Sequence, residues 1–237
     1  LPKIDLYGHP RVHNGRIDLG AIESQEDIVF CGDITENTVW SADTIKIDCD
    51  IYIQNGKTLT IEAGTVVEFL DYFGIDVQGR LIVNGTAQKK VTFLRSDTTD
   101  FYIQNSFDGG WAGIQFNSLS SQNDTSVIKH AIIKFCKSTY FGSAMYVYNS
   151  NKVVVKNTIF TNNISSYGGG AIYIESSNPV FVNNLFYNNS AGIYGGAMYL
   201  KDATPVLHNN TFANNLAASG GGIYMYWSSP SIRNCIF

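Results

Sequence analysis

Apolar and polar residues alternate along the chain in short runs, which is the pattern of half-buried β-strands. The runs are separated by Gly, Asn or Ser, residues that favour turns. None of the runs shows the 3.6-residue period of an amphipathic helix. The pattern therefore predicts an all-β chain built from short strands and turns.

Three sequence markers recur with one period in the C-terminal third, which indicates an internal repeat. The first is the motif Asn-x-x-Phe-x-Asn-Asn, whose phenylalanines are spaced by 26, 26 and 25 residues: Phe160, Phe186, Phe212 and Phe237. The second is Gly-Gly-Ala-Ile-Tyr and its variants, at residues 142–146, 169–173, 195–199 and 221–224. The third is a proline before a short apolar strand, at Pro179, Pro205 and Pro230.

Each repeat contains three short apolar stretches, so it cannot bury a hydrophobic face alone. Similar units can do so when they stack at the strand spacing of about 4.8 Å. The less regular segments 58–69 and 74–85 have the same strand character. The chain is therefore expected to form a parallel β-helix with roughly seven to eight coils of about 25 residues, beginning near Ile45.

Alternation predicts which side chains enter the interior of this helix. We expect Ile172 and Ile174 to point inward, Ala171 and Tyr173 to point outward, and the repeated phenylalanines to stack inside. The repeated asparagines are expected at turns, where amides of successive coils hydrogen-bond along the axis. They are Asn157, Asn163, Asn183, Asn189, Asn209, Asn215 and Asn234.

Two segments carry a family resemblance. Lys57–Phe69, followed by Gly110-Trp-Ala-Gly-Ile114, resembles the opening coils of secreted bacterial right-handed parallel β-helix proteins of the pectate-lyase-like superfamily. The Gly-Gly-Ala-Ile-Tyr and Phe-x-x-Asn pairs are similar to the repeats of polymorphic outer-membrane proteins, whose passenger domains are surface adhesins. The resemblance covers about residues 45–237. It implies a right-handed β-helix with an extracellular or cell-surface location, and it does not specify an activity.

The N-terminal residues have a different character. Asp5–Arg11 and Asn14–Glu23 look like the closing segment that follows the last coils of many such secreted proteins. We therefore expect residues 1–27 to be a joint and residues 28–237 to be the β-helix, truncated at its C-terminus. The joint either connects tandem β-helices or packs against the open end of a neighbour.

Composition narrows the function classes. Charged residues make up 15% of the 237 residues and the formal net charge is −4, so no basic surface for nucleic acid is expected. No apolar run is long enough for a membrane-spanning helix. The four cysteines have no CxxC pair, so neither a zinc site nor a cofactor is predicted. Cys31 and Cys49 could form a disulfide, but buried free thiols are the favoured prediction.

A catalytic site would require clustered carboxylates, either for Ca²⁺ in a lyase or as a pair in a glycoside hydrolase. From Asn151 onward, Glu175 and Asp202 are almost the only acids, and the four histidines have no metal-ligand spacing. Acidic residues are more frequent earlier in the chain, in irregular stretches where such side chains are normally solvated loop residues. They are Asp97, Asp100, Asp108 and Asp124, near Arg95, Lys129 and His130. We therefore predict no catalytic residues, although a polysaccharide lyase or hydrolase remains the enzymatic alternative.

Outward tyrosines are the candidate ligand-binding residues. One exposed column is expected, with a tryptophan nearby: Tyr146, Tyr173, Tyr199, Tyr224 and Trp227. Such a ladder can stack on the sugar rings of an extended glycan. Alternatively, the tyrosines stabilise the sheet by stacking on one another, or another chain covers them.

These observations favour a non-enzymatic, secreted or cell-surface module with an adhesin-like or structural role. Two alternatives remain. One is an extracellular filament subunit joined head-to-tail, because open β-helix ends recruit other strands. The other is a polysaccharide-binding or polysaccharide-cleaving β-helix. The expected partners are therefore further copies of the chain, or an extracellular polysaccharide or host surface.

Overall fold

The computed structural model describes residues 12–13, 16–17, 28–103, 106–120 and 122–237. The predicted joint over residues 1–27 lies outside this range, except for an antiparallel pair formed by Val12–His13 and Arg16–Ile17. All regular elements of the described residues are β-strands. Among these residues, no helix is long and apolar enough to cross a membrane.

Parallel strands from successive coils form the faces of a right-handed β-helix, as predicted. One face, the tyrosine sheet, consists of the end of Thr44–Ile53 and the strands Gly74–Val77, Gly113–Asn117, Met145–Tyr148, Ile172–Glu175, Met198–Lys201 and Ile223–Tyr226. The second face, the phenylalanine sheet, consists of the start of Thr44–Ile53 and the strands Val66–Phe69, Val91–Leu94, Ala131–Lys134, Ile159–Thr161, Leu185–Tyr187 and Thr211–Ala213. The strand Ile28–Ile34 pairs with Thr44–Ile53, which belongs to both faces.

The third face and a short sheet complete the coils. The valine sheet contains Thr38–Trp40, Thr58–Glu62, Arg80–Asn84, Ser126–Lys129, Val153–Lys156, Val180–Val182, Val206–His208 and Ser231–Arg233. The short sheet contains Lys137–Ser138, Ile164–Ser165 and Ser190–Ala191, between the phenylalanine and tyrosine sheets. Each coil thus runs from the valine sheet through the phenylalanine sheet to the tyrosine sheet, and three of the coils also contribute a strand to the short sheet.

Aromatic and aliphatic side chains fill the interior. The ring of Phe186 stacks between those of Phe160 and Phe212, at centroid distances of 4.9 and 4.8 Å. Phe237 continues the stack at 5.0 Å from Phe212. Ile172 and Ile174 are fully buried. The predicted phenylalanine stack and the inward isoleucines are confirmed.

Asparagine ladders close two corners of the coils, but one ladder differs from the prediction. Asn163, Asn189 and Asn215 hydrogen-bond along the axis, as expected. At the corner before the phenylalanine sheet, however, Asn184 and Asn210 form the ladder. The residues predicted there have left-handed φ angles of 50–56° and make the turn instead: Asn157, Asn183, Asn209 and Asn234.

The expectation of free thiols is wrong for Cys31 and Cys49, which form a disulfide with a Cα–Cα distance of 5.0 Å. Their strands pair in parallel, and the register jumps from Phe30–Ile47 to Gly32–Ile51. This irregularity places Cys31 opposite the extra residues 48–50, although the two cysteines are 18 residues apart in sequence. Cys136 is a buried free thiol, and burial raises its pKa.

Candidate functional site

The outward tyrosines belong to one axial column of the tyrosine sheet. Strand pairing places Tyr146, Tyr173, Tyr199 and Tyr224 directly above one another. In the other direction, the column continues from Tyr146 through Gln115 and Asp76 to Tyr52. At about 4.8 Å per coil, the column from Gln115 to Tyr224 is about 19 Å long.

The prediction of an exposed tyrosine column is wrong at its centre. Tyr173 is 1% exposed and Tyr199 is 7% exposed, while Tyr146 and Tyr224 are half-buried. A second aromatic layer from the preceding turns covers the column. Phe141 stacks on Tyr173 at 4.4 Å, and Tyr194 packs against Tyr224 at 4.3 Å. The tyrosines therefore contact one another and the covering rings.

Glycines allow this second layer to fold over the column. Gly169 and Gly195 have φ angles of +66° and +63°, which L-residues with side chains rarely adopt. A Cβ at Gly168 would lie 2.6 Å from Cδ1 of Tyr199. The Gly-Gly-Ala-Ile-Tyr motif therefore encodes a sharp turn as well as a strand, and the glycine just before it, at position 168, allows a close aromatic contact.

Among the described residues of the tyrosine face, two aromatic side chains are more than half exposed to solvent. Tyr140, which the sequence did not single out, is 66% exposed and stacks on Tyr167 at 5.6 Å. Trp227 is 79% exposed and stacks on Tyr226 at 5.0 Å. Trp227 has a φ of +49°, which is unusual for a bulky residue. Trp227 is thus the most exposed of the five predicted ligand-binding residues.

Two adjoining depressions lie on the tyrosine face. The larger has a volume of about 340 Å³ and is lined by Tyr72, Tyr140, Phe141, Tyr146 and Glu175, among others. The smaller, of about 130 Å³, is lined by Asp50, Tyr52, Asp76 and their neighbours. Gln115 and Ala112 line both, so the depressions are continuous along the axis. Burial raises the pKa of Tyr72 to about 12, which keeps its hydroxyl protonated; it donates to the Lys137 carbonyl at 3.0 Å.

Comparison with protein families agrees with this geometry. The family described as the right-handed β-helix region matches residues 97–237, which is more than half of the chain. The chain belongs to the right-handed β-helix family. Comparisons with curated proteins and with solved structures find no significant match.

Three of the acids considered for the alternative catalytic role in this β-helix protein make separate side-chain contacts. Asp97 accepts a hydrogen bond from the Thr99 amide at 3.0 Å, and this bond lowers its pKa. Asp124 lies 3.7 Å from Arg80, and Asp108 accepts a hydrogen bond from Ser106. Within the described ranges, the only three potential metal ligands that converge are Cys31, Asp48 and Cys49, and both thiols are in the disulfide.

Arg95 and His130, two of the basic residues expected near those acids, also have structural partners. Arg95 donates to the Gly110 carbonyl at 2.9 Å and forms an ion pair with Asp71 at 3.0 Å. His130 makes a 3.3 Å contact with the side-chain amide of Asn157. These contacts hold irregular turns of the β-helix in place.

An ion pair crosses the middle of the tyrosine face. Glu175 accepts hydrogen bonds from Lys201 Nζ at 2.6 Å and from the Tyr173 hydroxyl at 2.7 Å. Burial opposes ionisation of Glu175, but the two hydrogen bonds outweigh burial and lower its pKa. Because folding lowers this pKa, the ionised Glu175 side chain stabilises the folded protein. This stabilisation is complete above the ordinary pKa of 4.5 and is lost as the pH falls through the pKa of Glu175 in the folded protein.

Replacing Lys201 with methionine is expected to raise the pKa of Glu175. The substitution removes one of the two hydrogen bonds that favour the ionised carboxylate, while the burial that opposes ionisation remains. The side-chain carboxyl resonance of Glu175, followed by NMR through an acid titration, measures this shift. Lys156→Met, at an exposed position of the valine sheet, is the control and should leave the titration unchanged. An unchanged Glu175 titration in Lys201→Met would contradict the proposed electrostatic coupling.

Proposed function

We propose that this β-helix protein is a non-enzymatic, extracellular, adhesin-like module that binds a neutral polysaccharide along its tyrosine face. The observation that carries the proposal is the continuous pair of depressions, in which the exposed ring of Tyr140 lies beside the polar side chains of Gln115 and Glu175. Aromatic faces stack on sugar rings, while carboxylates and amides accept hydrogen bonds from sugar hydroxyls.

The charge of the site favours a neutral ligand over an anionic one. The described residues that line the two depressions include Asp50, Asp76 and Glu175 and no lysine or arginine. Lys201, the nearby cation on this face, is paired with Glu175. An anionic polysaccharide would therefore meet the negative charges of Asp50 and Asp76, whereas a neutral chain would find hydrogen-bond acceptors.

Binding without cleavage agrees with the state of Glu175. A glycosidase needs a protonated carboxylic acid as the general acid, usually one with a raised pKa. The pKa of Glu175 is lowered instead, and its oxygens are held by Lys201 and Tyr173. This carboxylate is thus suited to accept hydrogen bonds from a ligand rather than to deliver a proton.

The Cys31–Cys49 disulfide supports an extracellular location, because disulfides persist mainly in oxidising compartments. The adhesin-like role rests on the similarity of the Gly-Gly-Ala-Ile-Tyr repeats to those of surface passenger domains.

Affinity electrophoresis of the full chain tests this function. The gels contain xyloglucan, galactomannan or hydroxyethyl cellulose as neutral polymers, and polygalacturonate as the anionic one. We expect at least one neutral polymer, but not polygalacturonate, to retard the protein. The double variant Tyr140→Ala/Gln115→Ala should weaken binding by about tenfold, a change of about 1.4 kcal/mol.

The matched control is Tyr187→Ala, at an exposed tyrosine of the phenylalanine sheet that should leave binding unchanged. Absence of retardation by every neutral polymer would contradict the proposed function, and release of reducing ends would show cleavage instead of binding. Size-exclusion chromatography of the same samples tests the alternative of head-to-tail assembly, for which the elution volume should decrease with protein concentration.

A further inference from the structure

A second groove lies on another side of the coil stack, over the short sheet. It contains a cavity of about 560 Å³ lined by Tyr102, Lys137, Ser166, Gly192 and their neighbours. A second cavity of about 420 Å³ adjoins it. Both are lined by Tyr102, Ile164, Ser190 and Leu216, so they form one groove with the Tyr102 ring at their common boundary.

We propose that this groove is a second binding site for a neutral oligosaccharide, separate from the tyrosine face. The groove follows the column of Lys137, Ile164, Ser190 and Leu216, which strand pairing stacks in successive coils. At about 4.8 Å per coil, this column is about 14 Å long, a length suited to a short stretch of an extended chain.

One wall of the groove is held in place before any ligand arrives. Phe101 is buried and packs edge-to-face on Phe135 at 5.6 Å. The Lys137 ammonium group donates to the backbone carbonyls of Asp100 and Asp108, at 3.3 and 3.0 Å. The next residue after Phe101, Tyr102, is nevertheless 77% exposed. The turn that carries this ring is thus anchored, so binding need not order its backbone.

The backbone of the groove floor is already hydrogen-bonded, which disfavours a peptide strand as the ligand. The amides of Ser166, Ser190 and Leu216 donate to carbonyls of the preceding coil at 2.9 Å. An added peptide strand needs unpaired backbone groups at a sheet edge. The ligand must therefore be recognised by side chains.

The side chains of the groove suit an uncharged, hydroxyl-rich ligand. Its described lining contains no carboxylate, and its one ammonium group, on Lys137, is engaged by the two carbonyls. Serine hydroxyls and a row of asparagine side-chain amides supply polar groups, and the Tyr102 ring supplies a face on which a sugar can stack. The amides are those of Asn162, Asn188 and Asn214. These groups match the alternating apolar and hydroxyl surfaces of a neutral sugar.

Methyl NMR of the full chain, labelled at isoleucine δ1 carbons, tests the proposal. The probes are xylohexaose, cellohexaose, mannohexaose and chitohexaose, each titrated separately. Ile103 and Ile164 line the groove, whereas Ile75 lines the smaller depression of the tyrosine face. We expect at least one probe to shift the Ile103 and Ile164 signals in a saturable manner. Tyr102→Ala should weaken this binding at least fivefold, and Tyr102→Trp should retain it.

Tyr187→Ala is again the matched control and should leave the groove titration unchanged. If none of the four probes shifts Ile103 and Ile164, or if Tyr102→Ala binds as tightly as the unchanged protein, the groove proposal is overturned. Because Ile75 reports on the tyrosine face separately, failure of the groove and failure of the proposed function give different spectra.

Discussion

Replacing Gly170 with alanine is expected to prevent the stacking of two coils, at a cost of about 4 kcal/mol or more in the free energy of unfolding. A Cβ at this position would lie 2.1 Å from the Gly196 carbonyl oxygen and 2.6 Å from the Ser190 carbonyl carbon. Both are backbone atoms, so no side-chain rotation can relieve the clash. The coils cannot separate locally without breaking hydrogen bonds such as the one from the Gly170 amide to the Gly195 carbonyl, at 3.0 Å.

The urea midpoint of the unfolding transition, followed by circular dichroism, measures this effect. Gly222→Ala is the matched control, because the hydrogen-bond pattern places Gly222 where Ala171 and Ala197 lie in the two preceding coils. Its nearest new contact is a ring carbon of Phe237 at 3.3 Å, so we expect a change within about 1 kcal/mol. Similar urea midpoints for the two variants would show that the close approach of the backbones does not prevent a side chain at position 170.

Replacing Asn189 with alanine is expected to destabilise the protein by about 3–5 kcal/mol. The carboxamide of Asn189 is fully buried. Its oxygen accepts hydrogen bonds from the Asn163 backbone and side-chain amides, at 3.2 and 2.9 Å. Its nitrogen donates to the Phe160 carbonyl at 2.9 Å and to the Asn215 side chain at 3.0 Å. Alanine removes all four bonds and leaves both Asn163 donors without these partners in the interior.

The neighbouring asparagine provides the control for this experiment. Asn188 is exposed and has a φ of +55°, so glycine can replace it without backbone strain. Asn188→Gly should therefore change the free energy of unfolding by no more than about 0.5 kcal/mol. Thermal and urea unfolding of the two variants compare a buried ladder position with a turn position. An equal loss in both would contradict the role given to the ladder.

The repeat period was sufficient to predict the columns of the fold. Residues separated by 26 positions stack because each coil must pair with the next along its whole length, so the phenylalanine stack and the Asn163–Asn189–Asn215 ladder follow from spacing. Gln115 and Asp76 could have been found in the same way, by extending the tyrosine column through the less regular coils.

Within a column, however, spacing does not determine which of two adjacent residues points inward. The pairs Asn183-Asn184 and Asn209-Asn210 have the same period. Only the left-handed turn at Asn183 and Asn209 directs the second member of each pair into the ladder. The sequence therefore predicted the existence of this ladder but assigned it to the wrong asparagines.

The sequence by itself thus determined the all-β class, the parallel stacking of coils and the outward side of the tyrosines, since these depend on local alternation and period. The tertiary structure alone decided what lies above that outward side: Phe141 and Tyr194 cover its centre, while Tyr140 and Trp227 remain exposed. It also decided the Cys31–Cys49 pairing and the groove beside Tyr102. The covering rings and the groove arise where turns of unequal length from different coils meet, and the disulfide arises where the register of two paired strands jumps. Alternation within a strand carries no information about either kind of contact.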